Sequence, residues 1–204
     1  MILQPRRVLD LAELPDTTFG PRDVMWWGTL GFVLIEGFTL VLCAAVLVYL
    51  NQNYATWPPP HTPLPSLGAP TVNLVLMLAS LPVIAWMSRA ARAYDYGKVR
   101  LGLTIAAAFN LAFVLLRAVE LLVSLNVKWD TNAYGSAQWL VLGTHATLLA
   151  VEFVEVSGMA AIFWLAPVER KHFSDAADMG FYWYFMVLAW VPLYLLSYIW
   201  PRFG

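Results

Sequence analysis

Six ionisable side chains lie inside stretches of this sequence that are otherwise apolar, and they are the residues best placed to do chemistry. They are Glu36, Arg117, Glu120, His145, Glu152 and Glu155. A charged group at the depth of a bilayer is costly unless it faces protein or water, so each position needs a partner. Three roles remain open for them: structural pairing within the chain or with a neighbouring subunit, binding of lipid headgroups, and proton relay.

The third and fourth apolar stretches carry polar residues at the same intervals. Separations of seven and three residues occur in both sets, Asn110–Arg117–Glu120 and His145–Glu152–Glu155. At about 100° per residue, each set falls within an arc of about 80° on a helix. The spacing predicts one polar stripe on each of two helices, and Arg117 is one turn from Glu120 and able to pair with it.

Redox chemistry within this chain is not indicated. A buried haem commonly takes two axial side chains at bilayer depth, but His145 is the only one of three histidines in an apolar stretch, and Cys43 is the single cysteine. No cluster typical of copper or zinc ligands is visible. We therefore expect no catalytic, metal or cofactor-binding residues here. The net charge of −1 gives no basic surface for nucleic acid.

The elements that position these residues are predicted to be transmembrane helices. The chain has 204 residues, of which 60% are hydrophobic and only 12% charged, and a bilayer is spanned by about 20 apolar residues in a helix. We predict an all-α polytopic bundle in which residues 24–204 form a single membrane domain. Its five helices are expected at about 24–50, 71–87, 99–125, 136–165 and 180–200, with a proline-rich outer loop at 51–70 and an N-terminal cytoplasmic segment at 1–23.

The distribution of lysine and arginine predicts the orientation. One side would hold Arg6, Arg7, Arg22, Arg89, Arg92, Lys98, Arg100, Arg170 and Lys171. The other side would hold only Lys128 and Arg202. Because positive residues accumulate in cytoplasmic loops, the N-terminus is expected to be cytoplasmic and the C-terminus outside, on the periplasmic side of a bacterial membrane.

A series of motifs along nearly the whole chain resembles a known family. In order they are Ile35-Glu36-Gly37-Phe38, the proline-rich segment 59–80, Arg117-Ala118-Val119-Glu120, Tyr134-Gly135-Ser136, Gly143-Thr144-His145, His172, Tyr182-Trp183-Tyr184-Phe185 and the later Trp190, Leu193, Tyr194 and Tyr198. This order is similar to subunit III of the haem-copper oxidases, which include cytochrome c and quinol oxidases, in its short five-helix bacterial form. In that comparison His172 is a loop histidine. The departures are Arg117 for glutamine, Leu148 and Tyr184 for histidines, Glu152 for glycine and Val187 for aspartate.

The resemblance implies a non-catalytic structural subunit of a proton-pumping terminal oxidase in the bacterial inner membrane. Its main partner would be subunit I, the haem and copper would lie in partner subunits, and structural phospholipid would be held between its helices. The six ionisable residues would then form a polar network that contacts lipid or another subunit, and Glu36, Glu120 and His145 match the family pattern directly.

Alternatives to this role remain open. The chain could belong to a nitric oxide reductase or a respiratory supercomplex as a subunit III-like component. It could be an assembly factor that leaves the finished oxidase. It could also be a small proton- or ion-coupled transporter that uses the Glu and His stripes, although such transporters usually show repeated halves or broken helices.

Overall fold

Five long helices make up the chain, in a computed structural model that describes residues 18–203. They are α1 (Val24–Asn51), α2 (Gly68–Arg92), α3 (Tyr96–Val119), α4 (Ala133–Leu165) and α5 (Arg170–Tyr194). Each helix is long and apolar enough to cross a membrane, and residues 18–203 contain no strand. The predicted all-α fold with five membrane helices is confirmed. Most of the predicted N-terminal segment, residues 1–17, lies outside the described residues.

Short turns of other helical types extend the long helices. A 3-10 turn, Gly20–Arg22, precedes α1. A π turn, Glu120–Ser124, continues α3. The chain beyond α5 continues through a second π turn, Leu195–Ile199, into a 3-10 turn, Trp200–Arg202. The third and fifth membrane spans are therefore wider in places than a regular α-helix.

The fifth helix begins at Arg170, about ten residues before the predicted start near residue 180. Its first turn is capped by a hydrogen bond from the Glu169 backbone N–H to His172 Nδ1, at 3.0 Å. His172 therefore lies in the first turn of α5 and not in a loop as predicted. The expected start followed the apolar run, whereas the first turns of a membrane helix can extend beyond the hydrocarbon and carry polar residues. Helix α2 is longer than predicted at both ends for the same reason, and it continues through Pro82.

The helices close into a ring in the order α1, α4, α3, α2, α5, and α5 also contacts α4 and α3. The direction of each helix follows from contacts at its ends. Tyr96 near the start of α3 donates to the Phe163 carbonyl near the end of α4. Ser174 near the start of α5 donates to Asp23, which caps the start of α1. Consecutive helices thus alternate in direction. Of the five, α5 is the most buried and α1 the least, so much of α1 faces outward.

The bundle has two ends, which we call the N-side, where α1 begins, and the C-side, where the chain leaves the last turn at Arg202. On the N-side a short turn links α2 to α3, and Asp95 caps α3 by accepting from the Lys98 backbone N–H at 3.1 Å. The Lys98 ammonium donates to the same carboxylate at 2.6 Å and holds the pKa of Asp95 below its usual value. On the C-side the proline-rich loop folds over the bundle, where buried Trp57 meets the Tyr134 ring edge to face at 4.9 Å.

Candidate functional site

Arg117 and Glu120 form a completely buried ion pair in the C-side half of the third span, at the end of α3 and the start of its π turn. Arg117 is 1% exposed and Glu120 is 0% exposed. Arg117 Nη1 donates to Glu120 Oε2 at 2.7 Å, which confirms the pairing predicted from their spacing. Two charges removed from water recover their desolvation cost only when further hydrogen bonds satisfy them. The surroundings of this pair provide such bonds.

His145 on the neighbouring helix α4 joins the pair. Its Nδ1 lies 3.2 Å from Arg117 Nη2, and its Nε2 lies 3.2 Å from the Met186 carbonyl oxygen on α5. A guanidinium only donates and a carbonyl only accepts, so the imidazole must accept at Nδ1 and donate at Nε2. His145 is therefore a neutral imidazole with its proton on Nε2, and it ties α3, α4 and α5 together.

Aromatic rings close the remaining sides of this pair. Arg117 Cζ lies 3.6 Å from the centroid of Trp190, which is completely buried on α5. The His145 ring stacks on the same indole at 5.2 Å. A desolvated cation over an indole face gains about 2 kcal/mol. The Tyr198 hydroxyl donates to Glu120 Oε1, so both carboxylate oxygens are bonded. We call these five residues the arginine cluster: Arg117, Glu120, His145, Trp190 and Tyr198.

Both partners of the bond between Glu120 and Tyr198 lie in π turns. Glu120 begins the π turn of the third span, where Leu125 N donates to Glu120 O at 2.9 Å. Tyr198 lies in the π turn of the fifth span. A π turn holds an extra residue, so it rotates the following side chains away from regular helical positions. Trp190 and Tyr198 were noted only as family matches. The role of Tyr198 was missed because the 3.6-residue period cannot reveal a π turn, and that of Trp190 because its contacts with Arg117 and His145 depend on how α5 packs against α3 and α4.

Asn110, the first residue of the α3 stripe, faces α4. The two terminal atoms of its amide lie 3.1 Å from Leu149 O and 3.2 Å from Phe153 N. Since Asn110 is also buried, the whole α3 stripe lies against protein and not against lipid. The stripe is a helix–helix contact, as membrane helices commonly make with polar side chains.

The other three predicted residues gather at the junction of α1, α4 and α5. The Tyr182 hydroxyl donates to Glu36 Oε2 at 2.5 Å. Glu152 is 2% exposed, and neither of its carboxylate oxygens has a hydrogen-bond partner within residues 18–203. Glu155 is exposed. Glu36, Glu155 and Tyr182 all lie within electrostatic range of the Glu152 carboxyl group. We call these four residues the carboxylate cluster: Glu36, Glu152, Glu155 and Tyr182.

The six predicted residues thus form two groups. Three of them lie in the arginine cluster and three in the carboxylate cluster, and no hydrogen bond or ion pair within residues 18–203 joins the two. The charges of the arginine cluster are paired within it, although Arg117 Nε and Trp190 Nε1 have no hydrogen-bond partner in the described chain. The carboxylate cluster, by contrast, is acidic and partly open. Contact of either cluster with lipid or with another subunit stays a prediction. No group of three His, Cys, Asp or Glu residues in the described chain is close enough to hold a metal ion.

The motif Tyr134-Gly135-Ser136 at the start of α4 holds the loop that precedes it. Gly135 has no room for a side chain, because a β-carbon would collide with the Lys128 carbonyl oxygen. Ser136 Oγ donates to the Trp129 carbonyl at 2.6 Å. The Tyr134 ring is completely buried. All three residues therefore serve packing at the C-side end.

The aromatic motif on α5 links that helix to two others. The Trp183 indole N–H donates to Ser80 Oγ of α2 at 2.8 Å. Tyr182 bonds Glu36 of α1, as described above. Phe185 lies against Gly37, where a β-carbon would come within 3.3 Å of the ring. The motif therefore sets how α5 packs between α1 and α2.

Comparison with known proteins matches this architecture to one family. The family model described as cytochrome c oxidase subunit III matches residues 18–202. The chain is 24% identical to cytochrome c oxidase subunit 3 of Synechocystis sp., over 98% of this chain and 89% of that protein. It is 25% identical to the subunit 3 of Thermostichus vulcanus, over 86% of this chain and 87% of that protein. It is 29% identical to the subunit 3 of Ornithorhynchus anatinus, over 85% of this chain and 69% of that protein. These matches confirm the resemblance seen in the motifs.

Proposed function

This chain belongs to the cytochrome c oxidase subunit III family, and from that premise we propose that it is the non-catalytic structural subunit of a proton-pumping haem-copper terminal oxidase. Membership of this family implies association with other oxidase subunits and a place in the respiratory chain. We propose further that the main partner is the haem-bearing subunit I, which this chain stabilises, and that haem and copper lie in the partner subunits.

The observation that carries a structural role is the way His145 is bound. Both of its ring nitrogens are engaged, one by the Arg117 guanidinium and the other by the Met186 carbonyl. Neither nitrogen is free to ligate an iron or copper ion. The remaining histidines of the chain, His61 and His172, lie in the proline-rich loop and in the first turn of α5. Arg117, Glu120 and His145 therefore hold α3, α4 and α5 together, which is the property that a scaffold subunit needs.

We also propose that phospholipid binds on the outward face of α1. A groove of about 480 Å³ runs between α1 and α5. Its walls are apolar and include Gly37, Leu40, Val41, Phe185, Leu188 and Pro192. A shallow apolar channel along two membrane helices suits an acyl chain. The hydrogen bond between Glu36 and Tyr182 lies beside the N-side end of this groove, so Glu36 is the ionisable residue expected to influence lipid retention.

The charge distribution supports an orientation with the N-side in the cytoplasm. Among residues 18–203 the N-side holds Arg22, Arg89, Arg92, Lys98, Arg100, Arg170 and Lys171. The C-side holds Lys128 and Arg202. By the positive-inside rule, we propose a multi-pass protein of the bacterial inner membrane with its C-terminus on the periplasmic side.

Purification through a C-terminal tag in mild detergent tests the proposed function. We expect stoichiometric recovery of a haem-bearing subunit, recognised by optical spectroscopy and mass spectrometry, with oxygen-reductase activity in the recovered complex. Haem proteins that reduce nitric oxide in place of oxygen would assign the chain to a nitric oxide reductase. A solitary colourless chain would refute the proposal, and proton flux in vesicles holding only that chain would support the transporter alternative.

Lipid retention is tested on the same complex by native mass spectrometry. We expect Glu36→Ala to reduce the number of retained phospholipids while far-UV circular dichroism stays unchanged. Leu122→Ala is the matched control, because Leu122 is 78% exposed and lies away from the groove, in the π turn after α3. Equal lipid content in wild type and Glu36→Ala would contradict the lipid proposal.

A further inference from the structure

Among residues 18–203 no cationic side chain pairs with the carboxylate cluster, and we propose that it receives one from outside. The inference is that a lysine or arginine on a transmembrane helix of another oxidase subunit docks against Glu155 and the adjoining Glu36 and Glu152. It rests on the proposed function, because it names the chemistry of a partner within that complex. A lysine or arginine donates and never accepts, which matches a cluster of acceptors.

All three carboxylates lie within the hydrocarbon on the N-side of the bundle, and Glu36 and Glu152 lie deepest. Helix α4 has 33 residues and is about 50 Å long, so about 10 Å extends past each side of a hydrocarbon core of about 30 Å. With α4 centred, Glu155 lies about 5 Å and Glu152 about 10 Å inside the hydrocarbon on the N-side. Glu36, on the shorter α1, lies about 12 Å inside by the same arithmetic.

The exposed face around Glu155 is apolar and suited to a packed helix. Val151, one turn away, is 49% exposed, and Val154 is 69% exposed. Gly158 is one turn further on the same face, and no atom lies within 4 Å of where its β-carbon would be. A small residue beside a polar one is typical of close helix–helix contact in membranes. An ionised carboxylate on such a surface is stable against a partner helix and unstable against lipid tails.

The distribution of cations among residues 18–203 favours a complement from another chain. Within the membrane-spanning part of residues 18–203, Arg117 lies in the opposite, C-side half of the bundle and is already bound to Glu120. Arg100, nearer the N-side, lies 4.1 Å from the ring of Trp164. Neither oxygen of buried Glu152 has a hydrogen-bond partner in the described chain. In a symmetric two-fold contact a second copy of this chain would present the same acidic face, so such a dimer does not supply the missing cation.

A metal ion is a poorer occupant than a basic side chain. The described part of the chain contains no group of three His, Cys, Asp or Glu residues that could hold a metal ion. One long side chain from a neighbouring helix needs no such convergence. It can reach Glu155 at the surface first and approach Glu36 and Glu152 behind it, as lysine and arginine do when they extend along a membrane helix.

Photo-cross-linking in the assembled complex identifies the occupant. Val151 is replaced by the photoreactive p-benzoyl-phenylalanine, the tagged complex is irradiated in native membranes, and the adduct is identified by mass spectrometry. We expect an adduct with a transmembrane helix of another subunit that carries Lys or Arg at the level of Glu155. An adduct with lipid alone, or with a helix that lacks a basic residue at that level, would overturn the inference.

Substitutions of Glu155 test whether charge is the cause. Glu155→Gln keeps the shape of a protonated acid but removes the charge, and we expect recovery of the cross-linked subunit to fall at least about tenfold. Glu155→Asp keeps the charge, so most of the wild-type recovery of the cross-linked subunit should remain. Glu155 is exposed, so both variants should fold, which circular dichroism verifies. Leu122→Gln adds the same amide at another lipid-facing site and serves as the control.

The outcomes separate this inference from the proposed function. Failure of the wild-type chain to recover any oxidase subunit would refute the proposed function. Recovery by wild type and equally by Glu155→Gln would leave that function standing and overturn the docked cation. A charge exchange provides a further test, in which Glu155→Lys is combined with an acidic residue in place of the partner's basic one. Either change alone should reduce recovery of the cross-linked subunit, and the combination should restore it.

Discussion

Replacing Arg117 by leucine should be among the most damaging single changes in this protein. The substitution removes the guanidinium that bonds both Glu120 and His145 and that stacks on Trp190. Glu120, which is 0% exposed, would keep only its bond from Tyr198. A buried carboxylate without its cation is an uncompensated charge in a medium of low dielectric constant.

The magnitude follows from two independent estimates. Breaking one side of a buried ion pair typically costs about 3–5 kcal/mol. The chain can limit this cost by protonating Glu120, and neutralising an ordinary carboxyl group at pH 7 requires about 3.7 kcal/mol. The two estimates agree, so we expect Arg117→Leu to lower the free energy of unfolding by about 3–4 kcal/mol at pH 7. The deficit relative to wild type should shrink by about 1.4 kcal/mol for each unit of pH below 7, because protonation becomes easier.

The assay is SDS titration of the purified protein in mixed micelles, followed by far-UV circular dichroism. A double-mutant cycle adds Glu120→Leu and the pair Arg117→Leu/Glu120→Leu. We expect the double variant to be more stable than either single one, because it leaves no unpaired charge. Leu115→Ala is the control on the same helix, since Leu115 is 57% exposed and should change stability by less than about 0.5 kcal/mol.

Two results would refute the reasoning. If Arg117→Leu were as stable as wild type, the pair would not be buried as the structure has it. If the double variant lost the sum of the two single losses, Arg117 and Glu120 would act independently and the coupling that defines the cluster would be absent.

The remaining predictions concern packing around the same core and use the same SDS titration. Tyr198→Phe removes one of the two hydrogen bonds to the Glu120 carboxylate and should cost about 1.5–3 kcal/mol; an unchanged midpoint would contradict the role given to the π turns. Gly135→Ala should destabilise the protein by about 1–3 kcal/mol, because the added methyl group would meet the Lys128 carbonyl oxygen. Gly143→Ala is the control, since its β-carbon would enter open space, and it should be neutral or stabilising by up to about 1 kcal/mol. Equal effects at the two positions would contradict the close approach of Gly135 to that carbonyl. Trp183→Phe removes the hydrogen bond from the indole N–H on α5 to Ser80 on α2 and should lower the free energy of unfolding by about 1 kcal/mol. A change smaller than the measurement error would show that this hydrogen bond does not contribute to stability.

Several features of the site could be predicted because they depend only on neighbours along one helix. Arg117 and Glu120 are three residues apart, so their pairing follows from the helical repeat. Burial of the α3 stripe follows in the same way, since charged groups at bilayer depth must face protein or water. The start of α5 at Arg170 was missed because hydropathy marks the hydrocarbon and not the helix, and a polar cap can begin a helix well before the membrane.

Contacts between helices could not be predicted, because they depend on how each helix is rotated against the next. His145 and Glu152 share one stripe on α4, yet one belongs to the arginine cluster and the other faces Glu36. The π turn that holds Tyr198 shifts its side chain by more than the regular period allows. No local pattern contains that shift.

The amino-acid sequence by itself determined the five apolar spans, the family motifs and the residues that must find partners within the membrane. Only the tertiary structure decided which partner each of them has. It paired Arg117 with Glu120 and bonded His145 within the chain, and among residues 18–203 it left Glu152 and Glu155 without a cation. The physical reason is that apolar length and helical spacing act within one element, whereas the desolvation of a charge is compensated across elements, by whichever helix the packing brings within a few ångströms.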